Sequence, residues 1–176
     1  MQATNLPYDI AKALQACASK DDARPVMQSF CVDRTEKIVH VVSSDTHRMI
    51  DFMFDAEALD LEAGMYTFVK LSQKEIIVAP LTQGQYPNWR RIFPADGYKA
   101  IGAYNPFGGK PQMRLRLDEP LCFDPGQLPP YRTDYEIQVN GAEAEENKEK
   151  GVQYTLKPIL FQNHQVRYIL MPVLPK

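Results

Sequence analysis

Ser43-Ser44-Asp45-Thr46-His47 gathers a hydroxyl, a carboxylate and an imidazole within five residues, the groups a hydrolytic centre uses. Such a centre draws its members from different elements, because adjacent residues on a strand point to opposite faces. The preferred reading is a turn between two strands, and a hydrolase using His47 stays as a minor alternative. His40, His47 and His164 are too scattered for a metal motif. The three cysteines, Cys17, Cys31 and Cys122, are odd in number, lack ligand spacing and read as reduced, buried thiols. Gly108-Gly109 stands alone with no helix after it, so no nucleotide loop of the P-loop or Rossmann type is read here. No catalytic residue, metal or cofactor is assigned, and a non-enzymatic protein is expected.

The elements that would carry these residues change period near Met27. Before it, Ile10, Ala13, Leu14 and Cys17 recur at helical spacing and predict a helix over Asn5–Ser19. Asn5 is the expected cap, Pro7 suits the first turn, and Asp9 complements the dipole. Pro25 ends any continuation. After it, Met27–Val32 and Lys37–Val42 read as a hairpin across Asp33–Glu36. Arg48–Phe54 suits a third strand, and Gly64–Leu71 and Glu75–Leu81 form another pair around Ser72–Lys74.

Gly84–Pro94 is a linker bounded by prolines that carries the only tryptophan. Asn105–Pro111 is a flexible turn, Met113–Leu117 a half-exposed strand, and Pro120–Pro130 has no helical period. Gly141–Lys150 is a charged, solvated excursion. Val152–Leu160 and Val166–Val173 make a final hairpin. One helix and roughly eight strands give an α+β pattern.

Composition narrows the function classes. Fourteen prolines against nine glycines favour strands joined by stiff connections. A net charge of −2 without a basic block argues against a protein built mainly to grip phosphate. The N-terminal MQATNLPYD lacks a basic segment followed by an apolar core, and no apolar run approaches the roughly 18 residues of a bilayer span. A soluble, cytoplasmic protein without membrane association is expected.

Three separated segments carry a resemblance. The first runs from the helix through Ser19-Lys-Asp-Asp-Ala-Arg-Pro25 into Phe30 and then Val41-Val-Ser-Ser-Asp-Thr-His-Arg-Met49. The second is Tyr86-Pro-Asn-Trp-Arg-Arg-Ile-Phe-Pro94, and the third is Tyr168-Ile-Leu-Met-Pro-Val-Leu174. In this order they resemble the bacterial DNA sliding clamp, the DNA polymerase III β subunit family. Its members carry a Thr-Asp-Gly-His-Arg-Leu turn, a Phe-Pro-Asp-Tyr-Arg-Arg-Val-Ile-Pro linker and a Tyr-Val-Val-Met-Pro-Met-Arg-Leu ending. Each motif is weak alone; together they cover about half of the residues.

The resemblance implies a DNA-clamp-like α+β domain with antiparallel sheet and one helix near the N-terminus. Residues 1–176 would form a single clamp-like domain, with an N-terminal half 1–81, a linker 82–98 and a strand-rich half 99–176. In clamps the three segments build a cleft for short peptides of polymerases and other replication proteins. The matching positions are Ser44, Thr46, His47, Arg48 and Met49 from the turn, and Pro87, Arg91 and Ile92 from the linker. Ile169, Met171, Pro172 and Val173 match at the third segment. Methionine and aliphatic side chains suit an adaptable groove, and arginine fixes polar ends of a peptide.

Lys12, Lys20 and Arg24 are the candidate contacts to duplex DNA, weak in a monomer. A ring around DNA would require a homo-oligomer, roughly a hexamer for a single-domain chain. The implied role is a processivity factor or a relative of one. The competing reading is a clamp-fold adaptor or decoy without DNA binding. Thr46 stands where the family has glycine, which argues against a tight left-handed turn there.

Overall fold

A helix forms over Tyr8–Cys17, with Ile10, Ala11, Ala13, Leu14 and Cys17 buried and Lys12, Gln15 and Ala16 exposed. It is shorter at both ends than the apolar stripe predicts. Asn5 does not cap it; Pro7 occupies that position. The Asn5 amide instead donates to the Ala58 carbonyl, its side-chain oxygen accepts from Asp60 N, and its own N–H donates to the Asp60 carboxylate. A distant loop has captured the residue that local propensity assigns to the cap. At the other end Ala18 is already extended, and Ser19 N–H donates to the Met27 carbonyl.

The computed structural model describes residues 1–93, 98–107, 112–115, 125–140 and 158–171. They fall into two compact units, Met1–Arg90 and Arg91–Lys176.

The first unit is an antiparallel sheet of β1 (Gln2–Ala3), β2 (Phe30–Arg34), β3 (Ile38–Ser44), β4 (Arg48–Asp55), β5 (Gly64–Leu71) and β6 (Ile76–Pro80), in the order β1-β6-β5-β2-β3-β4. The helix, α1, packs against β3, β4 and β5. The expected β2–β3 hairpin is present. Its turn is built by Thr35, whose hydroxyl oxygen accepts from Lys37 N and Ile38 N. Met27 lies outside β2, in a short 3-10 turn over Pro25–Gln28. Residues paired across antiparallel strands share a face. Cys31, Asp33, His40, Val42, Asp51 and Met53 therefore lie on one side of the sheet, and Phe30, Val32, Val41 and Phe52 on the other. Phe30 stacks between Tyr66 and Phe68.

The second unit contains β7 (Tyr98–Asn105), β8 (Gln112–Leu115), β9 (Tyr135–Asn140), β10 (Ile159–Gln162) and β11 (Val166–Leu170), ordered β11-β10-β9-β7-β8 and antiparallel throughout. Its core is aromatic. Tyr104, Tyr135, Phe161 and Tyr168 are buried, with Phe161 edge-on to the other three rings. Buried phenols need partners. Tyr135 donates to the Tyr131 carbonyl and Tyr168 to that of Gln127. The β10–β11 hairpin turns on Asn163, whose side-chain oxygen accepts from Gln165 N and Val166 N.

The chain is thus α+β, with antiparallel pairing and a single α-helix among the described residues. Strands β7 and β9 were not expected from the sequence. The charged stretch 141–150 and the first part of the final hairpin, 152–157, lie outside the described residues.

Candidate functional site

The turn between β3 and β4 is held by its own side chains. Ser44 Oγ donates to the Arg48 carbonyl at 2.9 Å and accepts from Thr46 N at 3.2 Å. The Asp45 carboxylate accepts from His47 N and Arg48 N, each at 3.0 Å, and from Arg48 Nε at 2.9 Å. The hydroxyl and carboxylate that suggested hydrolytic chemistry are committed to turn geometry, while His47 is exposed. Thr46 takes a left-handed backbone with φ 79°. This corrects the expectation drawn from the missing glycine: the tight turn forms around threonine, at the cost of strain for a β-branched residue.

Arg48 reaches further, donating from Nη2 to the Ala16 carbonyl at 2.7 Å. Carbonyls in the last turn of a helix lack intrahelical partners, so this bond ties the end of α1 to the start of β4. Met49 is only 1% exposed and is a core side chain of the first unit, and Ser44 is buried beside it in the strand pairing.

The segment leading from β6 lies over the sheet face that carries His40. Tyr86 and Trp89 are buried, while Pro87 and Asn88 between them are exposed. The Trp89 ring contacts the His40 ring at 5.0 Å. His40 Nδ1 is 3.0 Å and 3.1 Å from the two oxygens of Asp51. Arg90 lies with its guanidinium 4.6 Å from the Trp89 ring centroid and pairs with Asp33. Sequence reasoning passed over His40, Asp51 and Trp89 as site residues. The available signal was a lone tryptophan in a polar linker, which needs an apolar seat.

In the second unit, Arg91 and Ile92 are exposed, Ile92 by 40%. Phe93 is buried beneath the Arg167 guanidinium, 4.1 Å from its ring centroid. Ile169 is a buried residue of β11, whereas Met171, just beyond that strand, is 37% exposed. Pro172 and Val173 lie outside the described residues. The candidate positions thus divide by burial. Thr46, His47, Pro87, Arg91, Ile92 and Met171 face solvent, Arg48 is half-buried, and Ser44, Met49 and Ile169 belong to packed interiors.

Lys12, Lys20 and Arg24 are all exposed, but they do not share a helix face. Only Lys12 is in α1; Lys20 and Arg24 lie beyond its end at Cys17. Arg24 is 3.5 Å from the Asp21 carboxylate, which offsets part of its charge. No group of side chains suited to a metal ion occurs among the described residues, and no helix there is long and apolar enough to cross a membrane.

One α-helix among the described residues and antiparallel pairing in both units define a clamp-like fold, and this is the fold of the bacterial DNA polymerase III β sliding clamps. The chain matches the sliding clamp of Bacillus subtilis with a TM-score of 0.60 at 10% identity, over 99% of this chain and 65% of that one. It matches the β sliding clamp of C. crescentus with a TM-score of 0.51 at 11% identity, over 96% and 63% of the two chains. The Helicobacter pylori β clamp, solved bound to a DNA ligase peptide, gives 0.51 at 11% identity, over 98% and 64%. The chain therefore spans slightly less than two thirds of the clamp chains it resembles. No protein-family model and no curated protein matches the sequence.

Proposed function

We propose that this protein is a non-catalytic, clamp-like factor of DNA replication that docks short peptide motifs of replication proteins. Its action would be binding alone, with no bond made or broken. The observation that carries the reading is the exposure of Ile92 and Met171. Six large apolar side chains stand exposed among the described residues, and these two occupy positions matching the clamp cleft. A single exposed apolar side chain is ordinary and only a contiguous patch marks a contact surface, so the weight of these two lies in their match to the cleft positions. The similarity to a clamp solved with a DNA ligase peptide supports the same partner class.

Titration of a labelled peptide carrying a glutamine followed by apolar residues tests the proposal. Burying a few apolar side chains, each worth about 1.5–3 kcal/mol, brings micromolar affinity within reach. Met171→Ala should weaken binding while leaving the melting temperature nearly unchanged. Met49→Ala should instead cost about 2–5 kcal/mol of stability, as a buried methionine does. Absence of binding by the wild-type chain would remove the docking reading.

The adaptor or decoy reading is favoured by the net charge of −2 and by the Asp21 partner of Arg24. Encircling DNA would need several copies. With two compact units in each chain, fewer are needed than the rough six expected of a single-domain chain. Mass measurement in solution separates a ring-forming factor from a monomeric adaptor.

A further inference from the structure

Residues 81–88 belong to no helix or strand, so side chains must fix the path of this segment. It leaves β6 past Gly84, where φ is +88° and an added Cβ would come within 2.5 Å of Val26 Cγ2. Only glycine suits both the conformation and the close approach. Tyr86 then enters the interior of the first unit, and burial pushes its phenol pKa up. Pro87 and Asn88 arch outward, and Trp89 returns to only 5% exposure against His40.

The seat beneath Trp89 is itself fixed. Asp51 is fully buried and receives His40 Nδ1 on β3 from its own place on β4. Both Asp51 oxygens lie within hydrogen-bond distance of Nδ1, and this contact sets the orientation of the ring. Register places Asp33 of β2 directly opposite His40. Trp89 and Arg90 consequently land on one rung of this sheet face, the ring on His40 of β3 and the guanidinium on Asp33 of the neighbouring β2. None of these contacts belongs to the sheet's hydrogen-bond ladder. A segment held this way can open at a lower free energy than the sheet beneath it.

We infer that Tyr86–Arg90 is a releasable strap, latched where Trp89 seats on the His40–Asp51 pair, and that its seating governs how the exposed Pro87 is presented. The latch stands on the geometry of the first unit alone. Its effect on Pro87 rests on the docking reading above. A peptide that uses Pro87 in its seated position favours the closed strap, and an open strap lowers the apparent affinity by the fraction of molecules left open.

Trp89 is the only tryptophan, so its emission reports the strap without a label. In wild-type protein it should be blue-shifted and poorly quenched by acrylamide. During a urea titration it should change before the far-UV circular dichroism of the sheet. His40→Ala should shift the emission to the red and raise quenching several-fold, with the circular dichroism preserved, and His40→Gln should do so to a smaller extent. Asp33→Ala should loosen Arg90 with a weaker effect on Trp89. Unchanged quenching in His40→Ala, or coincident tryptophan and circular-dichroism transitions in the wild type, would overturn the latch. If the His40 variants fail to fold, the wild-type titration still decides. A clamp-motif peptide should bind His40→Ala several-fold more weakly than wild type; equal affinity would overturn the control of Pro87. If the wild type binds no peptide, the docking reading and the control of Pro87 fall together, while the Trp89 measurements decide the latch.

Discussion

Arg48 donates to the carbonyl of Ala16, across the gap between the first residue of β4 and the last turn of α1. The same guanidinium donates to Asp45 within its own turn. One side chain therefore joins helix, turn and strand, at a position the clamp resemblance assigns to peptide contact. Arg48→Ala should lower unfolding stability by about 1.5–3 kcal/mol, the range for hydrogen bonds from charged groups. Arg48→Lys should recover only part of this, because an ammonium lacks the planar fork that serves both acceptors. Urea denaturation of the three proteins measures the difference.

Thr46 is a β-branched residue held at φ 79°. Such strain costs on the order of 1–3 kcal/mol, whereas glycine adopts the conformation freely and gives back about 0.5–1 kcal/mol in chain entropy. Thr46→Gly should therefore stabilise the protein by about 1 kcal/mol and raise its melting temperature by a few degrees. A lowered melting temperature would show that the threonine side chain compensates the backbone.

Lys12, Lys20 and Arg24 give three exposed cations, one of them beside Asp21. Duplex binding by the monomer should be weak and fall steeply between roughly 50 and 200 mM salt, as counterion release requires. Replacing Lys12 and Lys20 with glutamine should reduce the slope of log affinity against log salt by about two. Tight, salt-resistant binding to linear duplex would point to a recognition surface elsewhere.

Cys17 and Cys31 supply a pH prediction. Burial pushes the Cys17 thiol up to about 12 and the Cys31 thiol up to about 11, against an ordinary value of 9.0. After burial, Arg48 lowers and Asp45 raises the Cys17 value, while for Cys31 Asp33 raises it and Arg90 lowers it. The folded state holds these protons more tightly than the unfolded chain does. Their contribution to stability is therefore complete below pH 9 and is lost as pH rises towards about 12. Unfolding free energies measured across this window should fall with pH, and Cys17→Ala should show a shallower fall.

Much of the first unit could be read directly from the chain. Ile38–Ser44 is rich in β-branched residues and Arg48–Asp55 in aromatic and aliphatic ones, and the intervening turn follows from Ser44, Asp45 and the alternation around them. The apolar stripe on α1 was equally plain. Its boundaries were not, because Asn5 is used by the Ala58–Asp60 loop, 53 residues away at the nearer end. In the second unit Tyr135–Asn140 alternates cleanly, with Tyr135, Ile137 and Val139 buried; flanking proline-rich and acidic segments obscured that signal. Tyr98–Asn105 offered less, since its alanines and glycine weaken strand propensity.

The candidate site divides on the same principle. Residue types and their order carry the resemblance to a clamp turn, linker and ending, because each is local and contiguous. Burial is not local. That Met49 and Ile169 fill interiors while Ile92 and Met171 meet solvent depends on strands brought together from distant parts of the chain. Likewise, His40, Asp51 and Trp89 become a latch only when β3 and β4 pair and the linker folds back over them. The sequence by itself determined the menu of strands, turns and apolar side chains. The tertiary structure decided which of those side chains face water, because that depends on packing between residues far apart in the chain.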